Sequence, residues 1–108
     1  MALVSPPSEQ PSHEQVATIG RSDGRTYLHL HGEHDLARLT ELRAALAKAV
    51  DGDKNDLVVD LSDVEFICAG TIGAFFRSRM LLKSLARTMT VHAPRPHTQR
   101  ILAICEFA

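Results

Sequence analysis

The sequence has no tryptophan, one tyrosine and four phenylalanines among its 108 residues, so aromatic side chains make up only 5% of it. A core built almost without large rings must be aliphatic, and the apolar share of 44% is enough to supply one. Net charge is nearly absent too: twelve basic residues face thirteen acidic ones, for a balance of -1. That leaves no field to draw in nucleic acid or an anionic membrane, and both are set aside as partners. Cysteine is scarce. Cys68 and Cys105 have no framework of further cysteines around them, which excludes a disulfide scaffold. No apolar run approaches the ~20 residues of a membrane-spanning helix. Met1-Ala2-Leu3-Val4 passes at once into Ser5-Pro6-Pro7, without the basic start and sustained apolar stretch of a secretory signal. Two free thiols in a reducing cytoplasm are the expectation.

What is present fits one domain, long enough to bury roughly two-thirds of the surface its unfolded chain exposes. Residues 1–14, rich in proline, serine and glutamine, read as a disordered tail, and residues 15–108 as the domain. Gln15 to Arg21 and Thr26 to His31 read as strands, joined into a hairpin by Ser22-Asp23-Gly24. A helix is predicted over residues 35–50, opened by Asp35, with Leu36, Leu39, Leu42, Leu46 and Val50 forming one apolar stripe. Asp51-Gly52-Asp53 stops it. The unbroken apolar run Leu57-Val58-Val59 within Asp56 to Leu61 predicts a central strand covered on both faces. A second helix is predicted over 71–86, with Ile72, Phe75, Phe76, Arg79, Leu82 and Leu85 on or beside its buried face. Met89 to His92 reads as a short strand. A last helix over 97–106 carries the apolar residues Ile101, Leu102 and Cys105, with Phe107 just beyond it. The order β-β-α-β-α-β-α predicts an α/β fold: a mixed four-stranded sheet with helices packed on it. Function in such sheets sits in loops beyond the carboxyl ends of strands, here Gly32 to Asp35 and Cys68 to Thr71.

Four motifs in order carry a family resemblance. Gly32-Glu33-His34-Asp35-Leu36 resembles the Gly-Glu-x-Asp-Leu that opens the first helix of STAS domains, named for sulphate transporters and anti-sigma factor antagonists. Asp60-Leu61-Ser62-Asp63-Val64-Glu65-Phe66-Ile67 resembles the family's Asp-Leu-Ser-x-Val-x-Phe-Ile. Ile72-Gly73 matches the Leu-Gly or Ile-Gly of the following helix. Pro96 to Phe107 resembles its Pro-x-Val-x-Arg-x-Leu-x-Leu-x-Gly-Leu, with Thr98 for the valine and Glu106 for the glycine.

The resemblance implies a STAS fold and a protein-binding role, with no catalytic residue, cofactor or metal. The family's functional loop reads Ile-Asp-Ser-Ser-Gly/Thr-Leu-Gly, and its second serine is phosphorylated by a kinase that is also the anti-sigma factor. Here the loop reads Ile67-Cys68-Ala69-Gly70-Thr71-Ile72-Gly73, with Gly70 at the phosphoserine position. The implied partner-binding residues are Asp35, Cys68, Ala69, Gly70 and Thr71. Thr71 offers the loop's one hydroxyl and is the fallback phosphoacceptor. The implied partner is a serine-kinase-like anti-sigma factor, bound in the cytoplasm of a bacterium to regulate sigma-dependent transcription. Two alternatives stay open: a thiol-dependent enzyme or redox protein using Cys68, and a non-switching scaffold or homodimerisation unit.

Some residues admit a second role. Asp35 reads equally as a partner contact and as a helix cap, which contributes ~1 kcal/mol. Cys68, just before a helix N-terminus, has a thiolate favoured by its position. His29, His31, His34 and Asp35 form a cluster in which His29 and His31 share one strand face. No further ligand of typical spacing follows them, so no metal site is assigned from sequence. Arg77, Arg79, Lys83 and Arg87 read as the solvated flank of the second helix.

Overall fold

Asp23 and Gly24 decide where the chain first turns back. Both take positive φ, 55° and 76°, the geometry of a type I′ turn whose twist matches that of the strands it joins. In the computed structural model, which describes residues 16–107, β1 (Ala17–Ser22) and β2 (Arg25–His31) therefore pair antiparallel, with Ser22 opposite Arg25. The predicted tail over residues 1–14 lies outside the described residues. After β2 come a single 3-10 turn (Leu36–Arg38), α1 (Leu39–Asp51), β3 (Asp56–Asp63), α2 (Ala69–Ser84), β4 (Met89–His92) and α3 (Pro96–Ile104). The sheet order is β1-β2-β3-β4, and β3 runs parallel to both its neighbours. The mixed four-stranded sheet and the element order are those expected.

Alternation divides the sheet into two unlike faces. Leu28 and Leu30 of β2, Leu57, Val59 and Leu61 of β3, and Met89 of β4 are buried against the helices. Leu42, Leu46 and Val50 of α1 meet them there, with Ile72, Phe75 and Leu82 of α2. Tyr27, His29, Val58 and Asp60 point the other way and are half-buried. Among the described residues no helix covers that second face. β3 is thus central but covered on one side, which corrects the reading of its apolar run.

The helix phases differ from expectation in two places. The turn at Leu36–Arg38 is 3-10, with three residues per turn, so the apolar stripe slips before α1 begins. Leu36 leaves the core and is 72% exposed. In α2, Leu85 lies past the last helical turn and is 52% exposed. Arg87, read as solvated, is instead structural, and Arg79, read both beside the buried face and on the solvated flank, is structural as well. Arg87 donates to the carbonyls of Asn55 (2.8 Å) and Val50 (3.0 Å), tying α2's exit to α1 and β3. Arg79 donates to the Phe107 carbonyl at 2.7 Å, and its guanidinium lies 3.9 Å from the centre of the Phe107 ring.

α2 and α3 both end in a Schellman motif. Arg87 N–H reaches Leu82 O and Ala86 N–H reaches Lys83 O; Phe107 N–H reaches Leu102 O and Glu106 N–H reaches Ala103 O. The motif requires a left-handed residue after the cap, usually glycine. Here it is Ala86 (φ 61°) and Glu106 (φ 58°). A side chain in that region costs roughly 1–2 kcal/mol, partly offset because glycine is freer in the unfolded chain. Ala86→Gly and Glu106→Gly are therefore each expected to raise stability by about 0.5–1 kcal/mol, read as a higher midpoint in urea unfolding.

Asp53 closes the α1–β3 connection. It accepts from Thr26 Oγ1 (2.6 Å), Arg21 Nε (2.5 Å) and the Asn55 N–H (2.8 Å), which together hold its carboxyl at about 2. A depressed carboxylate contributes stability above the unfolded value, and that contribution disappears as pH falls from about 4 towards about 2. Acid unfolding of the wild type should steepen in that window. In Asp53→Asn the same window should be flatter, with lower stability at neutral pH.

Candidate functional site

Two loops at the carboxyl ends of β2 and β3 are joined by backbone hydrogen bonds. Gly32 takes φ 75°, a conformation side chains disfavour, and turns the chain out of β2. His34 then re-enters the ladder. Its N–H donates to Phe66 O at 2.9 Å, and its carbonyl accepts from the Cys68 N–H at 3.0 Å. The result is an isolated parallel bridge between His34 and Ile67 beyond the ends of both strands. A third bond locks the pair: the Thr71 hydroxyl donates to His34 O at 3.2 Å.

His34 is fully buried; its ring nitrogens lie beside the backbone of His31 and Val16 but make no hydrogen bond of good geometry. Burial pulls its pKa below the ordinary histidine value, so the ring sits neutral. It does not join His29 and His31, which lie on the open face of the sheet. Its role as the anchor between the loops carries no sequence signal, since the resemblance leaves its position unspecified.

Each expected site residue can now be placed. Asp35 is exposed and its side chain caps nothing; its backbone carbonyl accepts the Arg38 N–H at 3.2 Å instead. The capping role foreseen for its carboxylate is therefore corrected, and the group faces solvent. Cys68 occupies the N-cap of α2, half-buried, with its sulphur 3.5 Å from Thr71 Oγ1. Burial pushes the thiol up, but the Thr71 hydroxyl, whose single proton can turn from His34 O to the sulphur when the thiolate forms, and the backbone N–H groups of Thr71 and Gly70 outweigh it, so its pKa falls below the ordinary value. Ala69 is exposed and Gly70 half-buried. A Cβ at Gly70 would lie 2.8 Å from Leu39 Cδ2, so any side chain there must push the end of Leu39 aside. Thr71 is fully buried with its hydroxyl already engaged. A kinase could reach it only after the first turn of α2 opened.

Two exposed apolar side chains flank the joined loops: Leu36, and Phe66 at 43% exposure. Exposed apolar residues beside a carboxylate form a rim suited to a protein surface. Leu36 is recruited to this rim by the same 3-10 turn that takes it out of the core.

The chain belongs to the STAS domain family: the family model described as "Mlab, STAS domain" matches residues 17–108. An anti-sigma factor antagonist from Mycobacterium paratuberculosis is 26% identical in its solved structure, with a TM-score of 0.75 over 83% of this chain and 76% of that one. The anti-sigma factor antagonist SpoIIAA in its unphosphorylated form gives a TM-score of 0.65 at 15% identity, over 81% of each chain. The Bacillus cell fate determinant SpoIIAA in its phosphorylated form gives 0.64 at 16% identity, over 84% of each. No curated protein sequence matches significantly.

The Cys68 environment yields a measurable expectation. In a Cys105→Ser background, alkylation by iodoacetamide should follow a titration with its midpoint below that of an unstructured cysteine peptide measured alongside. Thr71→Val, which keeps the buried shape and removes the hydroxyl, should move that midpoint up. A midpoint unaffected by the loss of Thr71 Oγ1 would contradict the geometry.

Proposed function

We propose that this domain is an anti-sigma factor antagonist that binds a serine-kinase-like anti-sigma factor in the bacterial cytoplasm and so regulates sigma-dependent transcription. It binds through Asp35, Cys68, Ala69 and Gly70, with Thr71 bracing the loop from beneath and Leu36 and Phe66 supplying apolar contact. It carries out no catalysis and needs no cofactor to bind. The observation that carries the reading is the joining of the two loops through His34, which presents Asp35 and the Cys68–Gly70 turn as one surface. The family's phosphoserine position is Gly70, and the neighbouring hydroxyl is buried, so the complex is constitutive at this loop rather than switched by phosphate.

A second reading, a thiol enzyme or redox protein at Cys68, draws on the depressed thiol pKa. It lacks a base: the sulphur's side-chain partner is the hydroxyl of Thr71, and a lowered pKa at a helix N-cap arises without catalysis. A non-switching scaffold or homodimer would use the same surface against a second copy.

The test is binding to each purified anti-sigma factor of the native cell, with and without ATP. Wild type should bind one of them and take up no phosphate, and Thr71→Ala should behave alike in both respects. Gly70→Asp should weaken the complex by roughly 2–5 kcal/mol, about 30-fold or more, because an unpaired charge is buried at the interface. Gly70→Ala, which displaces Leu39 without adding charge, should cost much less. Phosphate on wild type that Thr71→Ala removes would show that the loop is switched after all. Equal affinity for Gly70→Asp and wild type would show that the partner does not sit on this loop, and self-association alone would favour the dimer.

A further inference from the structure

Strict alternation along β3 would send Asp63 to the core side with Leu57, Val59 and Leu61. It does not go there. Between the pairs His29–Asp60 and His31–Asp63 the register slips, so that two steps along β2 match three along β3. This bulge turns Asp63 onto the open face, opposite His31, with its side chain 63% exposed. Bulges of this kind commonly re-aim a side chain.

The bulge completes a cluster that sequence spacing does not reveal. The rings of His29 and His31 lie side by side, centroids 4.8 Å apart. His29 Nε2 is 2.7 Å from Asp63 Oδ2. One ring nitrogen of each histidine and a carboxylate oxygen of Asp63 all lie within 4.8 Å of one another. Behind them, Asp60 Oδ2 is 2.9 Å from His29 Nδ1, and Asp60 Oδ1 accepts from the Ser62 N–H (3.0 Å) and hydroxyl (2.5 Å). Thr18 Oγ1 is 3.2 Å from His31 Nε2 and steadies the second ring.

The geometry points to a divalent transition-metal site of the zinc class, ligated by His29, His31 and Asp63, with Asp60 orienting His29 and one position left to water. Two imidazoles and a carboxylate suit zinc, copper, nickel or cobalt rather than calcium or magnesium. Three protein ligands with an open fourth position are a common zinc arrangement. Bonds of about 2.0–2.1 Å in a tetrahedron put ligand atoms about 3.3 Å apart. The ligand atoms, now within 4.8 Å of one another, would reach that spacing by rotation of these partly exposed side chains. The carboxylate behind His29 is the usual outer partner of a metal-bound imidazole. His31 and Asp63 are the last residues of β2 and β3, so a bound ion ties together the roots of both loops.

Tag-free, metal-stripped full chain should be titrated with Zn2+ by calorimetry, with Co2+ absorption as a spectroscopic probe. One ion per chain is expected, without a thiolate charge-transfer band on cobalt. Asp60→Asn should weaken zinc roughly 10–100-fold. His31→Ala and Asp63→Asn should each weaken it more, while the double variant Cys68→Ser with Cys105→Ser should bind as wild type does. Thermal unfolding without metal confirms that each variant is folded, and His31→Gln serves if Asp63→Asn is not. No binding at millimolar Zn2+, unchanged affinity in the histidine and aspartate variants, or loss in the cysteine variant would each overturn the assignment.

Discussion

β2 and β3 run parallel from Arg25 and Asp56 onward, and past their last paired residues the two chains are still held together by His34. A parallel pair needs a crossover, so the chain from His31 to Asp56 must climb away, form α1 and return. Both loops at the carboxyl end therefore start from neighbouring strands and have every reason to diverge. The bonds from His34 N–H to Phe66 O and from Cys68 N–H to His34 O prevent that. Without them Asp35 and the Cys68–Gly70 turn would be two independent loops. With them they form one surface carried by the rigid sheet.

Burial gives those bonds their weight. His34 is enclosed, and burial keeps its ring neutral. Its peptide group, by contrast, is fully used, and its carbonyl accepts twice, from Cys68 N–H and from the Thr71 hydroxyl. The residue holds the loops by its backbone and fills space with its side chain. A hydroxyl that serves in such a lock is not available for chemistry, which on the proposed reading makes Thr71 a poor phosphoacceptor.

Much of the fold was legible. Asp23-Gly24 named its turn type, and the stripe from Leu39 to Val50 named its helix. What was not legible has physical causes. The 3-10 turn at Leu36–Arg38 changes the helical period for three residues, and period counting assigned Leu36 to a core it leaves. Three successive apolar residues in β3 look alike whether one face is covered or two, and only the lack of a helix over Val58 among the described residues distinguishes them. Arg79 and Arg87 lie where charge complements a helix end, yet their long stems reach carbonyls that belong to other elements. Within the site, the loops and the unusual Gly70 were visible from motif order. The burial of Thr71 and the separation of His34 from His29 and His31 were not: the first follows from how the first turn of α2 packs under the His34 bridge, the second from which side of the sheet a residue faces.

Three features of the α2 entrance bear on the proposed constitutive complex. A phosphate in this loop would need a hydroxyl, room around it and free N–H groups at the helix end. Gly70 supplies no hydroxyl. Leu39 leans into the space a side chain at 70 would occupy. The Cys68 side chain occupies the N-cap, and the Thr71 N–H is already taken by the Cys68 carbonyl at 3.0 Å. Each feature alone is a small departure. Together they fill the place where the modification would go, and on the proposed reading that leaves control of the complex to the partner's abundance or to sites elsewhere on the domain. The open face of the sheet, where the β3 bulge sets Asp63 beside His29 and His31, is the part of the molecule whose chemistry the partner loops do not use.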